Sequence, residues 1–205
     1  MYHGHIGWNS WKIISQLISL TLSLSADPTI TDLLGVITET WLHDDIDSMM
    51  LQLSDYTLYR LDRRDGRQGG GVVVYVKQGS FCSHLSHLTH PNLEVLWLLY
   101  RPHQMPREVT HILIGAIYHP PKANNPEMLD YLINSMDEVS RSHPNTGILL
   151  LGDFNQLPDS QLRSYPLQQM VNTATCRKSI LDKIYTNMHT WFQTPISFFT
   201  CSFSV

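Results

Sequence analysis

An acid and an amide follow directly on an apolar run in the last third of the chain. Ile148 to Leu151 is wholly apolar, Gly152 interrupts the run, and Asp153 and Asn155 come next. A short run without alternation indicates a strand that is buried on both faces. Because functional sites in α/β proteins collect beyond the carboxyl ends of strands, Asp153 and Asn155 are candidates for chemistry. The alternative is an ordinary turn, since Gly, Asp and Asn all favour turns.

Polar side chains also accompany three other apolar runs. Glu39 follows one such run, Tyr118 ends a second, and Asp182 lies within a third. One polar strand end is easily a turn, but four of them favour a site that is assembled from several strands. The sequence therefore predicts that Glu39, Tyr118, Asp153, Asn155 and Asp182 meet in one cleft at the strand ends.

The elements that must position these residues alternate irregularly along the chain. The predicted strands are Leu33 to Thr38, Tyr56 to Leu61, Val72 to Val76, Leu93 to Tyr100, Val109 to Tyr118, Ile148 to Leu151 and Ile180 to Thr186. The predicted helices are Trp11 to Leu24, His43 to Leu53, Asn125 to Arg141 and Tyr165 to Val171. Several strand pairs have no helix between them, which favours mixed sheets with helices outside over a purely parallel sheet.

The helix from Asn125 to Arg141 has the clearest signals. Asn125 and Pro126 suit the cap and the first helical position. Its apolar residues recur with a helical period and predict one buried face; they are Met128, Leu129, Leu132, Ile133, Met136 and Val139. We expect Leu33 to Thr38, Val109 to Tyr118 and Ile148 to Leu151 to be central, buried strands, and this helix to lie outside.

Composition limits the classes of function. The 205 residues suit one domain, 42% of them are hydrophobic, and the net charge of -4 provides no general basic surface for a polyanion. The three cysteines are too far apart for a zinc set or a disulfide framework. His84, His87 and His90 lie in a polar stretch and are interpreted as surface residues. No apolar run is long enough to cross a bilayer, and we expect an intracellular, nuclear or cytoplasmic protein that is not secreted.

Six short pieces of the chain resemble motifs of one family, the endonuclease/exonuclease/phosphatase superfamily, and most closely those of non-LTR (LINE-type) retrotransposon endonuclease domains. In chain order the pieces are ITETWL (Ile37 to Leu42), YRLDRR (Tyr59 to Arg64), GGGVVVYV (Gly69 to Val76), IYHPP (Ile117 to Pro121), LLGDFN (Leu150 to Asn155) and LDKIYT (Leu181 to Thr186). The resemblance implies an α/β (α+β) fold, a four-layer sandwich of two mixed sheets packed face to face with helices outside. It agrees with the element pattern, and the ends of the chain suggest that the fold is incomplete.

The resemblance also implies phosphodiester hydrolysis of DNA with Mg²⁺, or with Mn²⁺ in its place. Glu39 is similar to the metal-binding glutamate of the family, and Asp153 to the residue that orients or deprotonates the attacking water. Asn155 would hold a phosphate oxygen, Tyr118 would donate a hydrogen bond to the developing charge, and Asp182 would orient a catalytic histidine.

Three arginines lie between the second and third predicted strands. Arg63, Arg64 and Arg67 would contact substrate phosphates, and a solvated hairpin turn is an equal alternative. The partner implied is DNA, held through its phosphate backbone, with no small-molecule cofactor and no membrane.

Two parts of the family pattern have no counterpart in the chain. The family begins with a strand that ends in Asn and finishes with a Ser-Asp-His motif, whereas Trp191 to Val205 contains neither Asp nor His. We therefore divide the chain into a divergent N-terminus (1–32), a family-like domain (33–186) and a divergent tail (187–205). The hypotheses are an impaired endonuclease and a non-catalytic remnant that binds nucleic acid or protein; a phosphatase of the same superfamily is a lesser alternative.

Overall fold

The computed structural model describes residues 34–64, 69–101 and 108–191. Several predictions lie outside these ranges. They concern the first helix from Trp11 to Leu24, the division 1–32, most of the division 187–205, and Arg67. None of the described helices is long and apolar enough to cross a membrane.

A three-stranded antiparallel sheet forms one layer. Its strands are β1 (Leu34–Thr38), β2 (Tyr56–Leu61) and β3 (Val72–Lys77), in the order β1-β3-β2. Val72 of the central strand pairs with Thr38 on one side and with Leu61 on the other. The register therefore gathers the segments that follow β1, follow β2 and precede β3 at the same end of the sheet.

A six-stranded sheet forms the second layer. Its strands are β4 (Phe81–His84), β5 (Glu94–Arg101), β6 (His111–Tyr118), β7 (Thr146–Asp153), β8 (Gln168–Gln169) and β9 (Asp182–Thr186). Their order is β4-β5-β6-β7-β9-β8, with β6 and β7 parallel and the other pairs antiparallel. Strands β5, β6 and β7 are buried along almost their whole length, as their unbroken apolar runs predict.

One long helix, α1 (Asn125–Ser142), connects β6 to β7 and covers the outer face of the six-stranded sheet. Asn124, one residue before the predicted cap Asn125, caps it by accepting a hydrogen bond from the Glu127 backbone N–H at 3.3 Å, and Pro126 occupies the first turn. Its apolar stripe packs with Leu113, Ile117, Ile148 and Leu150 in one core, and a second core lies between the two sheets. Leu132 and Met136 are fully buried in the outer core.

These layers confirm the predicted fold class, an α/β sandwich of two sheets; of the two sheets predicted to be mixed, the six-stranded one is mixed and the three-stranded one is antiparallel in the described residues. The three layers seen in the described residues are α1 and the two sheets. The predicted strands are present with ends shifted by one or two residues, and β4 and β8 are additions. In the described part of the chain, β1 pairs only with β3, so its predicted central position is wrong there.

The predicted helix from His43 to Leu53 is also wrong, because only Ser48–Leu51 forms a short 3-10 turn. The Arg60 guanidinium binds the carbonyl oxygens of His43 and Ile46, at 3.0 and 2.7 Å, which a helix would use for its own ladder. Met49 and Met50 are 81% and 77% exposed, so no apolar face holds the segment in a helix.

The predicted helix from Tyr165 to Val171 is replaced by a turn and strand β8. Pro166 follows Tyr165, and the Met170 backbone N–H donates to the Ile184 carbonyl at 2.8 Å. Pairing with β9 therefore outweighs the weak helical pattern of this stretch.

Candidate active site at the ends of the two sheets

Four polar residues form a row across four adjacent strands at one end of the six-stranded sheet. Glu94 of β5 pairs with Tyr118 of β6, Tyr118 pairs with Asp153 of β7, and Asp153 pairs with Asp182 of β9. Directly paired residues project from the same face of a sheet. This face is the one turned toward the three-stranded sheet, because Tyr118 belongs to the core between the sheets.

Glu39 reaches this row from the three-stranded sheet. The Tyr118 hydroxyl donates a hydrogen bond to Glu39 Oε1 at 2.6 Å, across a separation of 79 residues. Glu39 has a φ of 52° and Trp41 a φ of 55°, values that are uncommon for residues with a side chain. The chain thus turns sharply where β1 ends, and Glu39 is directed toward the other sheet.

Asp153 carries a strongly perturbed carboxyl group. Its pKa is raised to about 7, first by burial and then by the charges of Asp182 and Glu39, although hydrogen bonds from Asn155 oppose the rise. The pKa of Asp182 is raised to about 6, chiefly by burial and further by Glu39, while a hydrogen bond with Thr175 opposes it. These mutual effects require the three carboxyl groups to lie close together.

Asn155 completes a tight turn behind Asp153. Its backbone N–H donates to Asp153 Oδ1 at 2.8 Å, and its side-chain amide donates to the His119 carbonyl oxygen at 2.9 Å. Phe154, between them, is buried with its ring 5.3 Å from that of Tyr185. The turn interpretation of this segment is therefore right about the backbone, and the turn serves to orient Asp153.

The predicted site residues therefore come together from both sheets. Tyr118, Asp153 and Asp182 lie in the row, Glu39 contacts Tyr118, and Asn155 contacts Asp153. Burial first and Glu39 second raise the pKa of Tyr118, so its hydroxyl stays protonated and remains a donor. Their catalytic roles stay predictions.

The two described arginines of the predicted phosphate cluster differ from each other. Arg64 is exposed, in keeping with either alternative. The Arg63 side chain is only 8% exposed and forms an ion pair with Glu94, so it is not part of a solvated turn. A contact of Arg63 with substrate phosphate stays a prediction that its burial makes harder to satisfy.

This site offers oxygen ligands to a metal ion. No group of three or more His, Cys, Asp or Glu side chains within residues 34–64, 69–101 and 108–191 is arranged to hold an ion as a cluster. Mg²⁺ retains several waters and needs only one or two carboxylates. Glu39 and Asp153 are the carboxylates that would supply them, and a cation there would oppose the rise in the pKa of Asp153, which comes first from burial and then from the charges of Asp182 and Glu39.

Sequence reasoning missed three supporting residues. Glu94 is the fourth member of the row, and its only local signal is an acid at the start of a long apolar strand. Thr175 Oγ1 accepts hydrogen bonds from the backbone N–H groups of Leu181 and Asp182, at 3.0 and 3.1 Å. His119 is buried beside Tyr118 and its Nε2 lies 2.7 Å from Asn125 Oδ1. No local sequence pattern marks Thr175 or His119, because their hydrogen-bond partners are brought close only by the fold.

Comparison with known proteins identifies relatives of this arrangement. A model of the Endonuclease/Exonuclease/phosphatase family matches residues 6–202. Among solved structures, the endonuclease domain of TRAS1, a telomere-specific non-LTR retrotransposon, is similar with a TM-score of 0.54 and 10% sequence identity, over 77% of this chain and 73% of that one. Truncated Caenorhabditis elegans TDP2 has a TM-score of 0.50 and 12% identity, over 76% and 71%. At these identities the likeness is one of fold. No curated protein sequence matches the chain.

Proposed function

Since the chain belongs to the endonuclease/exonuclease/phosphatase family, we propose that it is a Mg²⁺-dependent DNA phosphodiester hydrolase of retrotransposon origin. The observation that carries the proposal is the meeting of Glu39, Tyr118, Asp153, Asn155 and Asp182, which come from both sheets. Turn residues without a shared role have no reason to converge on one cleft. The fold likeness to a retrotransposon endonuclease domain supports the retroelement branch.

A bound Mg²⁺ would stabilise negative charge on the phosphoryl oxygens of the substrate. Glu39 would hold the ion, with Asp153 close by and waters in the remaining positions. The Tyr118 hydroxyl keeps the Glu39 carboxylate turned toward the row through its 2.6 Å hydrogen bond. The same hydroxyl would donate a hydrogen bond to the developing charge once Glu39 binds the ion.

Asp153 is the proposed base. In the metal-free site its pKa is about 7, and a bound cation would lower this pKa, so the carboxyl group would be ionised and able to accept a proton from water at neutral pH. The Asn155 backbone N–H holds one oxygen of the carboxyl group at 2.8 Å. The Asn155 amide donates to the His119 carbonyl oxygen and also acts on Asp153 as a hydrogen-bond donor, so a contact with a phosphate oxygen would replace one of these two bonds.

We propose further that turnover is slow. In the part of the chain that the structure describes, the partners of Asp182 are Asp153 across the strand pair and Thr175, and no histidine is among them. Loss of a general acid or base costs on the order of a hundred- to ten-thousand-fold in rate. The lack of a histidine partner for Asp182 among the described residues also favours an alternative function. In that alternative the protein is a non-catalytic domain that binds the phosphate backbone of DNA.

Nicking of supercoiled plasmid tests the proposal against this alternative. Purified protein is incubated with plasmid in Mg²⁺, in Mn²⁺ and in EDTA, beside Glu39→Gln and Asp153→Asn. We expect slow, metal-dependent nicking that both substitutions abolish, with DNA binding in EDTA unchanged. Binding of plasmid without nicking by any of the three proteins in either metal would support the non-catalytic alternative.

A further inference from the structure

A buried ion pair joins Glu94, the first residue of the row, to Arg63, and it has no place in the chemistry proposed above. Arg63 Nε and Nη2 lie 2.7 and 2.5 Å from Glu94 Oε1, and the two side chains are 8% and 9% exposed. Desolvation offsets most of the Coulomb attraction in such a pair, so burial of two charges is weak evidence for stabilisation. The contacts of this pair point to another role.

The pair is packed against the glycine-rich segment that precedes β3. Glu94 Oε2 accepts a hydrogen bond from the Gly71 backbone N–H at 2.5 Å. Gly70 has a φ of 77°, and a Cβ added to it would lie 2.5 Å from Glu94 Oε2 and 2.6 Å from Arg63 Cζ. A side chain at Gly70 would therefore require the ion pair to shift.

The same segment holds the backbone immediately after Glu39. The Gly70 carbonyl accepts from the Trp41 N–H at 2.9 Å, and the Gly71 carbonyl accepts from the Thr40 N–H at 3.4 Å. The ion pair thus supports, through two glycines, the left-handed turn that carries Glu39.

The pair also supports the side chain of Glu39. Arg63 Cζ lies 5.5 Å from the centre of the Tyr118 ring, within the range of a cation–π contact. The Tyr118 hydroxyl in turn donates to Glu39 Oε1. Arg63 and Glu94 therefore contact both of the groups that determine where the Glu39 carboxylate points.

We propose that Arg63 and Glu94 are positioning residues for Glu39. Together they fix the Tyr118 ring and the Gly70–Gly71 backbone, and these direct the Glu39 carboxylate toward Asp153. What Glu39 does once it is positioned rests on the proposed function. The Arg63 guanidinium is then a support inside the protein and not a ligand of substrate phosphate.

Fluorine NMR of protein labelled with 3-fluorotyrosine tests the proposal. The resonance of Tyr118, one of nine tyrosines, is assigned by its loss in Tyr118→Phe. Without metal, we expect Arg63→Gln and Glu94→Gln each to move this resonance by more than its linewidth. Arg60→Gln is the matched control. Arg60 is also part-buried and forms an ion pair, with Asp62, but its other contacts are with the 43–48 segment.

A Mg²⁺ titration of the same samples adds a second readout. We expect the Tyr118 resonance to respond in the wild type, and the midpoint to rise about tenfold in Arg63→Gln and not in Arg60→Gln, as for outer partners of metal ligands. If either single variant fails to fold, Arg63→Gln/Glu94→Gln replaces it, since this double variant leaves no unpaired buried charge and keeps an acceptor for Gly71.

An unmoved Tyr118 resonance in folded, metal-free Arg63→Gln or in the double variant would overturn the proposal, as would an equal shift in Arg60→Gln. A wild-type resonance that ignores Mg²⁺ at every concentration would instead contradict the proposed metal site. In that case the metal-free shifts still decide the positioning role.

Discussion

Asp153 and Asp182 are direct cross-strand partners in β7 and β9, so two carboxyl groups project side by side from the same face of the sheet. Like charges placed opposite each other in a sheet are destabilising. Burial adds to this effect, and it is the largest cause of the raised pKa values of both residues. The fold therefore maintains an electrostatically unfavourable pair at the end of its central strands.

The first prediction concerns the pH dependence of stability without metal. Both folded pKa values, about 7 and about 6, lie above the ordinary value of 3.8. The folded state therefore binds protons more tightly than the unfolded state, and this contribution to stability is present below pH 4 and lost as pH rises through 6 and 7. We expect Asp153→Asn to become more stable than the wild type at pH 8, by on the order of a few kcal/mol.

Denaturant unfolding in EDTA from pH 5 to pH 8 measures this effect. The informative quantity is the difference between wild type and Asp153→Asn, because histidines such as His111 and His119, whose pKa values are lowered by burial, titrate in both proteins. A difference that stays constant with pH would refute the unfavourable pairing. Asp130→Asn, an exposed position on α1, is the control.

The second prediction concerns Gly152, which precedes Asp153. Its φ is 134°, and a Cβ at this position would overlap the Ile117 carbonyl oxygen in the neighbouring strand. We expect Gly152→Ala to lower the free energy of unfolding by at least about 3 kcal/mol. The matched substitution Gly35→Ala in β1, where the added Cβ is 3.9 Å from Tyr75 Cβ, should change it by less than about 1 kcal/mol. Equal effects in chemical denaturation would show that β6 and β7 do not approach this closely.

The residues of the row illustrate what the sequence reveals and what it conceals. Asp153 and Asn155 could be predicted because an unbroken apolar run ends at a glycine, and Glu39 and Tyr118 follow similar runs. Such signals are local and mark the ends of strands. They show that polar groups lie at strand ends, but not that these ends meet or which groups touch.

Glu94 and Arg63 show the limit of that reasoning. They are 31 residues apart, Arg63 in the segment after β2 and Glu94 at the start of β5, and each carries a charge that surface residues commonly have. Arg60 similarly opposes a helix between His43 and Leu53 by donating to two carbonyl groups of this segment from 14 and 17 residues away. Partners chosen by tertiary contact cannot be predicted from neighbouring residues.

The third prediction concerns the packing of α1. Leu132 is fully buried between the helix and the six-stranded sheet. We expect Leu132→Ala to lower the free energy of unfolding by about 2–5 kcal/mol, because it removes buried methyl groups and leaves a cavity. Ile133→Ala, at the half-buried neighbouring position, should lower it less. Thermal and chemical unfolding measure the loss in free energy of unfolding for both variants. Equal losses would contradict the described buried face of α1.

The central claim is that Glu39 and Asp153, from different sheets, form one metal site. Its most direct test is the affinity for Mn²⁺ at pH 8, measured by electron paramagnetic resonance of the free ion. We predict that Glu39→Gln and Asp153→Asn each weaken binding by at least about tenfold. Their double variant should be little weaker than either one, because groups that act as a unit are not additive. Asp130→Asn should bind as the wild type does. An unchanged affinity in Glu39→Gln, or independent and fully additive losses, would contradict the account.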